Sequence, residues 1–232
     1  MAAQFWWVIF PYLSVALMLG GSLYRYAHNQ MSWGSRSSEI LERRLLKWGS
    51  LLFHVGILLV IGGHVMGLLV PVQLYQALGV SRTTYHHGAD ILGGLAGLAT
   101  WIGLALLLIR RFSNRRVLRN SSVADVVALI LLFVVVSTGD AVTLGYNNLV
   151  GPYGYRRTVG PWVRGLITFQ PQASLMTHVP PLFQVHILLG LCLFAVVPFT
   201  RLVHFWSVPL AYVRRAPIQY RARDRYRPRP RT

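Results

Sequence analysis

The sequence contains little cysteine and little negative charge. Its single cysteine, Cys192, excludes an intrachain disulfide and the paired-cysteine motifs of zinc sites, thioredoxins and covalently attached haem. Asp and Glu together number only 6, and charged residues make up 12% of the chain, about half the usual share in a soluble domain. This composition argues against a soluble globular domain and against a disordered chain.

Long apolar runs take the place of the missing charge. Hydrophobic residues make up 54% of the 232 residues, and five runs reach the roughly 20 residues that a helix needs to cross a bilayer. Inside a membrane each run must be a helix, because a helix satisfies its own backbone hydrogen bonds. The sequence therefore predicts an all-α, polytopic membrane protein with five transmembrane helices. We place them near residues 4–24, 48–70, 87–109, 122–145 and 182–206.

Two signals lie outside the apolar runs. The segment 146–181 is broken by prolines, so we expect no sixth span there, and its piece PWVRGLITF predicts a short interfacial helix. The sequence Ser122-Val-Ala-Asp125 predicts a capping box at the start of the fourth span, which gives Asp125 a structural role.

Positive charge is abundant and unevenly placed. Lys and Arg total 23, and the formal net charge is +17, which in a soluble protein would indicate nucleic-acid binding. Here 19 of the 23 lie in the segments 25–47, 110–119 and 201–232, which share one side of the membrane. Because basic loops stay in the cytoplasm, we predict an outside N-terminus, a cytoplasmic C-terminus and a multi-pass protein of the cell (cytoplasmic or inner) membrane. No nucleic-acid partner is expected.

The basic end of the chain is separated from the helical bundle. We assign residues 1–215 to a five-helix transmembrane domain and residues 216–232 to a cytoplasmic tail. The tail ends in the basic sequence RARDRYRPRPRT, whose prolines argue against a regular helix. Two interpretations of the tail are open: it binds anionic membrane lipid or an acidic partner, or it is simply solvated.

Four of the eight histidines lie inside predicted spans, where an ionisable side chain is costly. One such histidine is usually a hydrogen-bonded packing residue, but four in two helices indicate a function. The second and fifth spans run in opposite directions, so His54 pairs with His204 in the cytoplasmic half, and His64 pairs with His186 in the external half. His186 and His204 are 18 residues apart, which places them on one stripe of a helix, with a kink expected at Pro198.

Paired histidines without further ligands favour haem over zinc. Zinc needs additional ligands, usually carboxylate or thiolate, and Cys192 stands alone. Haem iron accepts two axial histidines, which leaves no open position and therefore suits electron transfer. The two pairs predict two b haems stacked across the membrane.

The residues around these histidines carry a family resemblance. The stretch LFHVGILLVIGGHVMGLLVP has its two histidines ten residues apart, and PFTRLVHFWSVPLAYV contains His204, which follows His186 by 18 residues. The first cytoplasmic loop, YRYAHNQMSWGSRSSEILERRLLKWGS, matches as well. With these motifs the chain, up to about residue 215, resembles the gamma subunit of membrane-bound respiratory nitrate reductase, a di-haem cytochrome b.

The resemblance implies roles for particular residues. It implies that His54 and His204 ligate the cytoplasmic-side haem b, and that His64 and His186 ligate the outer-side haem b. It also implies that quinol, either menaquinol or ubiquinol, is oxidised beside the outer haem, where Gly63 and His64 match the family's Gly-His pair. The family has a basic residue at the start of the third span, but this sequence reads SRTTYHHGAD and has no lysine there. The candidates in its place are Arg82, His86 and His87; we favour His86, and solvated interfacial histidines are an equal alternative.

The resulting expectation is a quinol-oxidising electron-transfer subunit. It passes electrons inward through two haems to an iron–sulfur beta subunit and a molybdenum catalytic alpha subunit, which reduces nitrate. Three alternatives stay open at this point. They are the cytochrome b subunit of another quinone-linked complex, such as a formate dehydrogenase or a hydrogenase, a transporter that relays protons through its histidines, and a purely structural anchor.

Overall fold

The structure, a computed structural model, describes residues 1–29, 33 and 40–207, and throughout these ranges every regular element is helical. Five of the helical segments are long and apolar enough to cross a membrane, which confirms the predicted helical architecture and span count. We name these spans α1 to α4 and α6, and the short helix between the last two α5. Their bounds are Ala2–His28 (α1), Arg44–Leu69 (α2), Arg82–Ser113 (α3), Val123–Leu149 (α4), Val159–Ile167 (α5) and Pro181–Phe199 (α6).

Helices α2 and α3 form the closest packed pair of the bundle. Their approach depends on glycines, because a Cβ atom at Gly103 would lie 2.8 Å from the carbonyl oxygen of Gly49. A Cβ atom at Gly56 would likewise lie 2.8 Å from the backbone nitrogen of Thr100. In a membrane, where apolar burial does not drive helices together, such close backbone contact is a principal source of association. Helix α3 also packs on α4, which packs on α6, and α6 packs on α1.

The predicted helix in the segment 146–181 is present as α5. It lies across the ends of α1 and α2 and donates hydrogen bonds to carbonyls there, from Trp162 Nε1 to Trp7 O at 2.7 Å and from Arg164 Nη1 to Leu68 O at 2.8 Å. The fully buried Trp162 ring packs edge-on against the Trp7 ring. We call this end of the bundle the N-terminal face, and the opposite end, which carries residues 110–121, the arginine-rich face.

The fifth span departs from the prediction. Its α-helix ends at Val196, a 3-10 turn follows at Val197–Phe199, and Thr200 is extended, with φ −124° and ψ 178°. A second 3-10 segment, Arg201–Ser207, carries His204. The prediction of one helical stripe through residues 182–206 is therefore wrong, although the disturbance lies where Pro198 was expected to kink the helix. Proline has no N–H to donate and clashes with the preceding turn, so the α-helix cannot continue there.

Two ion pairs fasten the arginine-rich face. The capping box at Ser122 and Asp125 is present as predicted, and Arg201 also bonds to the Asp125 carboxylate. Arg110, whose side chain is only 3% exposed, donates from Nε to Glu42 at 2.8 Å. Although partial burial opposes it, hydrogen bonds from the Leu45 N–H and from Arg110 hold the pKa of the Glu42 carboxyl below its usual range. The predicted tail, residues 216–232, lies outside the described residues.

Candidate functional site

The structure brings the four intramembrane histidines together as two pairs across α2 and the fifth span. The ring centroids of His54 and His204 are 6.3 Å apart, and those of His64 and His186 are 6.1 Å apart. The first pair lies toward the arginine-rich face and the second toward the N-terminal face, as follows from the helix directions. We call them the inner pair (His54, His204) and the outer pair (His64, His186).

All four imidazoles use the same ring nitrogen for a hydrogen bond within the protein. In each case Nδ1 lies next to a backbone carbonyl, which can only accept. This contact favours the tautomer of the neutral ring in which Nδ1 carries the proton and Nε2 has the free electron pair. His54 bonds to Ser50 O at 2.7 Å and His64 to Val60 O at 2.8 Å. His186 bonds to Val135 O at 3.1 Å, and His204 bonds to Arg201 O.

The pair geometry suits one metal ion between two imidazoles. Two metal–nitrogen bonds of about 2 Å and two ring half-widths of about 1.1 Å put the centroids roughly 6 Å apart, in agreement with both observed separations. Within the described part of the chain, no group of three or more His, Cys, Asp or Glu side chains lies together, so each pair offers two protein ligands. Two ligands per metal fit a haem, whose porphyrin supplies the four equatorial nitrogens.

Space for a flat ring exists beside the outer pair. Gly62 and Gly63 precede His64 on α2, and a Cβ atom at either would meet no atom within 4 Å. The same holds for Gly190, one turn after His186. The imidazoles of His54 and His64 are exposed, so the pairs open onto the surface of the bundle.

Two residues that support the outer pair were not predicted from the sequence. Gly139 packs on His186 so closely that a Cβ atom there would lie 2.9 Å from Cε1 of the ring. The neighbouring Thr138 places its hydroxyl 3.1 Å from His186 Nδ1. Both lie on α4, so the outer pair is held by three helices rather than two. A threonine and a glycine inside an apolar run are ordinary packing residues in a sequence, and only the fold makes them neighbours of a histidine.

The candidates at the start of the third span meet at a cavity. Helix α3 begins at Arg82, five residues before the predicted start, because the Ser81 hydroxyl caps it by accepting from the Thr84 N–H at 3.0 Å. Arg82, His86 and His87 therefore lie in its first turns and line a cavity of about 440 Å³ on the N-terminal face. Neither Gly63 nor His64 lines this cavity, so the structure separates them from the other quinol-site candidates.

A second group beside this cavity centres on Arg156, which no sequence motif indicated. Arg156 is only 7% exposed, and its guanidinium carbon lies 4.2 Å from the ring centroid of Tyr75 and 3.7 Å from that of Tyr85. The Tyr85 and Tyr155 hydroxyls are 3.5 Å apart. Burial raises the pKa of the Tyr155 phenol far above its usual range, so it stays protonated. The cation and the rings fasten the segment before α5 to α3.

Comparison with known proteins identifies the family. The sequence pattern of the nitrate reductase gamma subunit family matches residues 3–223. The chain belongs to this family. It is 44% identical over 224 residues to the nitrate reductase gamma chain of Bacillus subtilis (strain 168), covering 97% of this chain and 100% of that one. It is 34% identical over 221 residues to the respiratory nitrate reductase 1 gamma chain of Escherichia coli (strain K12), covering 95% and 97%.

One relative has a different size. The nitrate reductase-like protein NarX of Mycobacterium tuberculosis (strain ATCC 25618 / H37Rv) is 40% identical over 225 residues, which cover 97% of this chain but 34% of that protein. The family resemblance inferred from the histidine motifs is thus confirmed. The chain is a gamma-type component of an oxidoreductase complex, a nitrate reductase, and the five apolar helices fit a multi-pass membrane protein.

Proposed function

We propose that this chain is the quinol-oxidising cytochrome b subunit of a respiratory nitrate reductase in the cytoplasmic membrane. It holds two b haems, takes electrons from quinol near the N-terminal face and delivers them at the arginine-rich face. The partners are an iron–sulfur beta subunit and a molybdenum alpha subunit, on which nitrate is reduced. Membership of the gamma subunit family supports this choice over a formate dehydrogenase or hydrogenase subunit.

The geometry of the histidine pairs is the observation that carries the proposal. His54 and His204 would hold the inner haem, and His64 and His186 the outer haem, each through Nε2. The iron of each haem supplies reversible one-electron transfer, and two protein ligands per iron leave no position for other chemistry. The carbonyls bonded to Nδ1 keep each ring in the ligating tautomer and fix its orientation.

Orientation follows from the charge distribution. The arginine-rich face carries residues 110–119 with five arginines. The described parts of the basic segments 25–47 and 201–232 meet this face, through Glu42 at Arg110 and Arg201 at Asp125. The positive-inside rule places that face in the cytoplasm and the N-terminal face outside. Electrons therefore move inward, while the protons of quinol are released outside.

The quinol head group is assigned to the N-terminal face, between the outer pair and the 440 Å³ cavity. His86 accepts a hydroxyl proton of quinol, since a neutral imidazole is suited to that exchange near neutral pH. Arg82 stays protonated and can only hold a quinol oxygen. Gly63 leaves open space beside His64, which allows the ring to approach, and His87 is the alternative base.

The decisive experiment counts haem and follows its reduction. A pyridine haemochrome assay on the purified full chain should give two non-covalent b haems, and added quinol should reduce both. His28→Ala is a suitable control, because His28 lies outside both histidine pairs, where it stacks on Tyr24 and bonds to the Tyr24 carbonyl. A folded protein without haem would overturn the proposal. Haem that no quinol reduces would overturn the quinol-oxidising role alone.

A further inference from the structure

A polar seam runs between α3 and α4, in a region where apolar contacts are expected. At one position Trp101 Nε1 donates to the Ser137 hydroxyl at 3.0 Å, and toward the N-terminal face Asn147 Nδ2 donates to Asp90 Oδ1 at 2.8 Å. We call this contact the α3–α4 seam. Its facing residues, in order toward the N-terminal face, are Trp101 with Ser137, Gly97 with Asp140, Gly94 with Leu144, Gly93 with Thr143, and Asp90 with Asn147.

Asp140 is the unexpected member of this seam. It is an acid inside a membrane span, and its Oδ2 atom is buried with no hydrogen-bond partner within the described residues. Gly97 makes room for it, since a Cβ atom at that position would lie 3.1 Å from the carboxyl carbon of Asp140. An uncompensated charge at such a place is expensive, so intramembrane carboxyls usually serve ion or proton movement.

The seam leads from Asp140 to the outside cavity. Thr143 and Asn147 follow Asp140 toward the N-terminal face, across a π-helical stretch at Ala141–Tyr146. Both meet α3, Thr143 at Gly93 and Asn147 at Asp90. Asn147 bonds to Asp90, and its Oδ1 atom is buried and unpartnered among the described residues. Asp90 and Asn147 both line the 440 Å³ cavity, which greatly exceeds the 10–15 Å³ that one water molecule needs.

The inner end of the seam lies beside the outer histidine pair. Gly139, the neighbour of Asp140 in the chain, packs against the His186 ring, whereas the Asp140 side chain is directed at Gly97 on α3. The carboxyl therefore belongs to the residue that follows a direct contact of the His186 ring, and it is not itself one of the ligands of the outer pair.

We propose that the α3–α4 seam is a proton path between the outside cavity and Asp140, and that Asp140 takes up a proton whenever an electron resides at the outer pair. This inference rests on the proposed function, which supplies the electrons. The seam adds a proton site that lies apart from the quinol base.

The step balances in charge and atoms. Oxidation of one quinol yields one quinone, two electrons and two protons. As one electron enters at the outer pair, the Asp140 carboxylate binds one proton from outside water through Asn147 and Asp90, which makes a neutral carboxylic acid. When the electron moves on to the inner pair, the acid returns that proton by the same route. The total charge at this depth is thus the same before and after the electron arrives.

Other titratable groups near the seam are few. On α3 they are Asp90, with His86 and His87 about one turn further out. The positive charges on the cavity side are Arg82 and Arg156, both of which act on the His86 imidazole. From α6 the group that packs against α4 is His186, whose Nδ1 is occupied by Val135 O and the Thr138 hydroxyl. Asp140 is therefore the carboxyl nearest the outer pair along this seam.

The test measures haem potentials at equilibrium, so it does not depend on turnover. The purified full chain is titrated with redox mediators at pH 6, 7 and 8, and the outer component is identified as the one lost in His64→Ala. In the unchanged protein its midpoint potential should fall as pH rises, by at most about 59 mV per unit for one proton per electron. Asp140→Asn should remove this dependence, and Ser137→Ala, one turn away in the same seam, should retain it.

The variant Asp90→Asn tests the proton path separately from the proton site at Asp140. Asp90→Asn leaves Asp140 able to titrate, so the equilibrium dependence should persist. Re-equilibration of the outer component after a rapid pH jump should then be at least about ten times slower than in the unchanged protein, because the route outward is broken. An unchanged rate in Asp90→Asn would overturn the assigned path.

The outcomes distinguish this inference from the proposed function. Two haem components with no pH dependence in the unchanged protein, or an equal dependence in Asp140→Asn, would overturn the seam proposal and leave the proposed function standing. A folded chain with no haem would overturn the proposed function itself. Should Asp140→Asn fail to fold, Asp140→Glu keeps a carboxyl in the seam, and loss of the pH dependence in that variant would contradict the proposal.

Discussion

Arg201 holds Asp125 with two hydrogen bonds, from Nε to Oδ1 at 2.7 Å and from Nη2 to Oδ2 at 2.6 Å. This contact joins the 3-10 segment after the helix break to the first turn of α4, whose capping box also uses Asp125. The carbonyl of Arg201 receives the Nδ1 hydrogen bond of His204. A single arginine therefore fixes, through its side chain and its backbone, the imidazole that no regular α-helix holds.

Replacing this arginine should affect the inner pair alone. Arg201→Lys retains the charge but loses the bidentate contact with Asp125. Loss of a hydrogen bond to a charged group costs about 1.5–3 kcal/mol of stability. We expect weaker haem retention or a shifted potential of the inner component, with the outer component unchanged, measured by absorption-monitored redox titration. Arg119→Lys serves as control, since Arg119 lies at the end of a short surface helix on the same face. Equal disturbance of both components would contradict this positioning role.

The pairing itself can be tested by histidine replacement. His54→Ala and His204→Ala should each abolish the same spectral component, and His64→Ala and His186→Ala the other, because under the proposed function each variant would remove one of the two protein ligands of one haem. Absorption spectra of the reduced protein at low temperature would resolve the components. Were His54→Ala and His186→Ala to remove the same component, the assignment of inner and outer pairs would be wrong.

A methyl group added at Gly139 on α4 should disturb the outer pair, because α4 contacts the His186 ring. Gly139→Ala places a Cβ atom 2.9 Å from Cε1 of His186, and relief of such overpacking typically costs about 1–3 kcal/mol. We expect loss or a spectral shift of the outer component with the inner one intact. Gly145→Ala is the matched control, since a Cβ atom there meets nothing within 4 Å on the same helix. Normal spectra in Gly139→Ala would show that the ring has room to move.

Much of the fold was predictable because each span is set by local composition. The five spans and the capping box follow from runs of apolar residues and one short motif, and α5 follows from a piece of loop that is apolar on one side. The proximity of His54 and His204 follows from the opposite directions of the two helices. These features depend on short stretches of sequence, so little of the tertiary structure is needed to see them.

The remaining features depend on contacts between distant segments. The helix break at Thr200 is stabilised by Arg25, which donates to Thr200 O at 2.7 Å from another helix. Gly139 and Asp140 matter only because α4 packs against α6 and α3. The burial of Arg156 between two tyrosines joins the segment before α5 to the start of α3 and leaves no periodic pattern in the sequence. Such residues are found from the fold and not from spacing.

Exchange of quinol protons should depend on the first turns of α3. His86 borders both the large cavity and the smaller one beside Arg156, so a head group in either position meets its imidazole. Removing a general base typically costs a factor of about 100 or more. His86→Ala should therefore slow quinol-dependent haem reduction by about 100-fold in stopped-flow experiments, while chemically reduced spectra keep both haem components. His178→Ala, at an exposed loop histidine, is the control. His87→Ala should have the smaller effect, since His87 borders only the large cavity. Unchanged kinetics in both His86→Ala and His87→Ala would exclude these two residues and leave Arg82, tested as Arg82→Gln, as the group that engages the quinol oxygen.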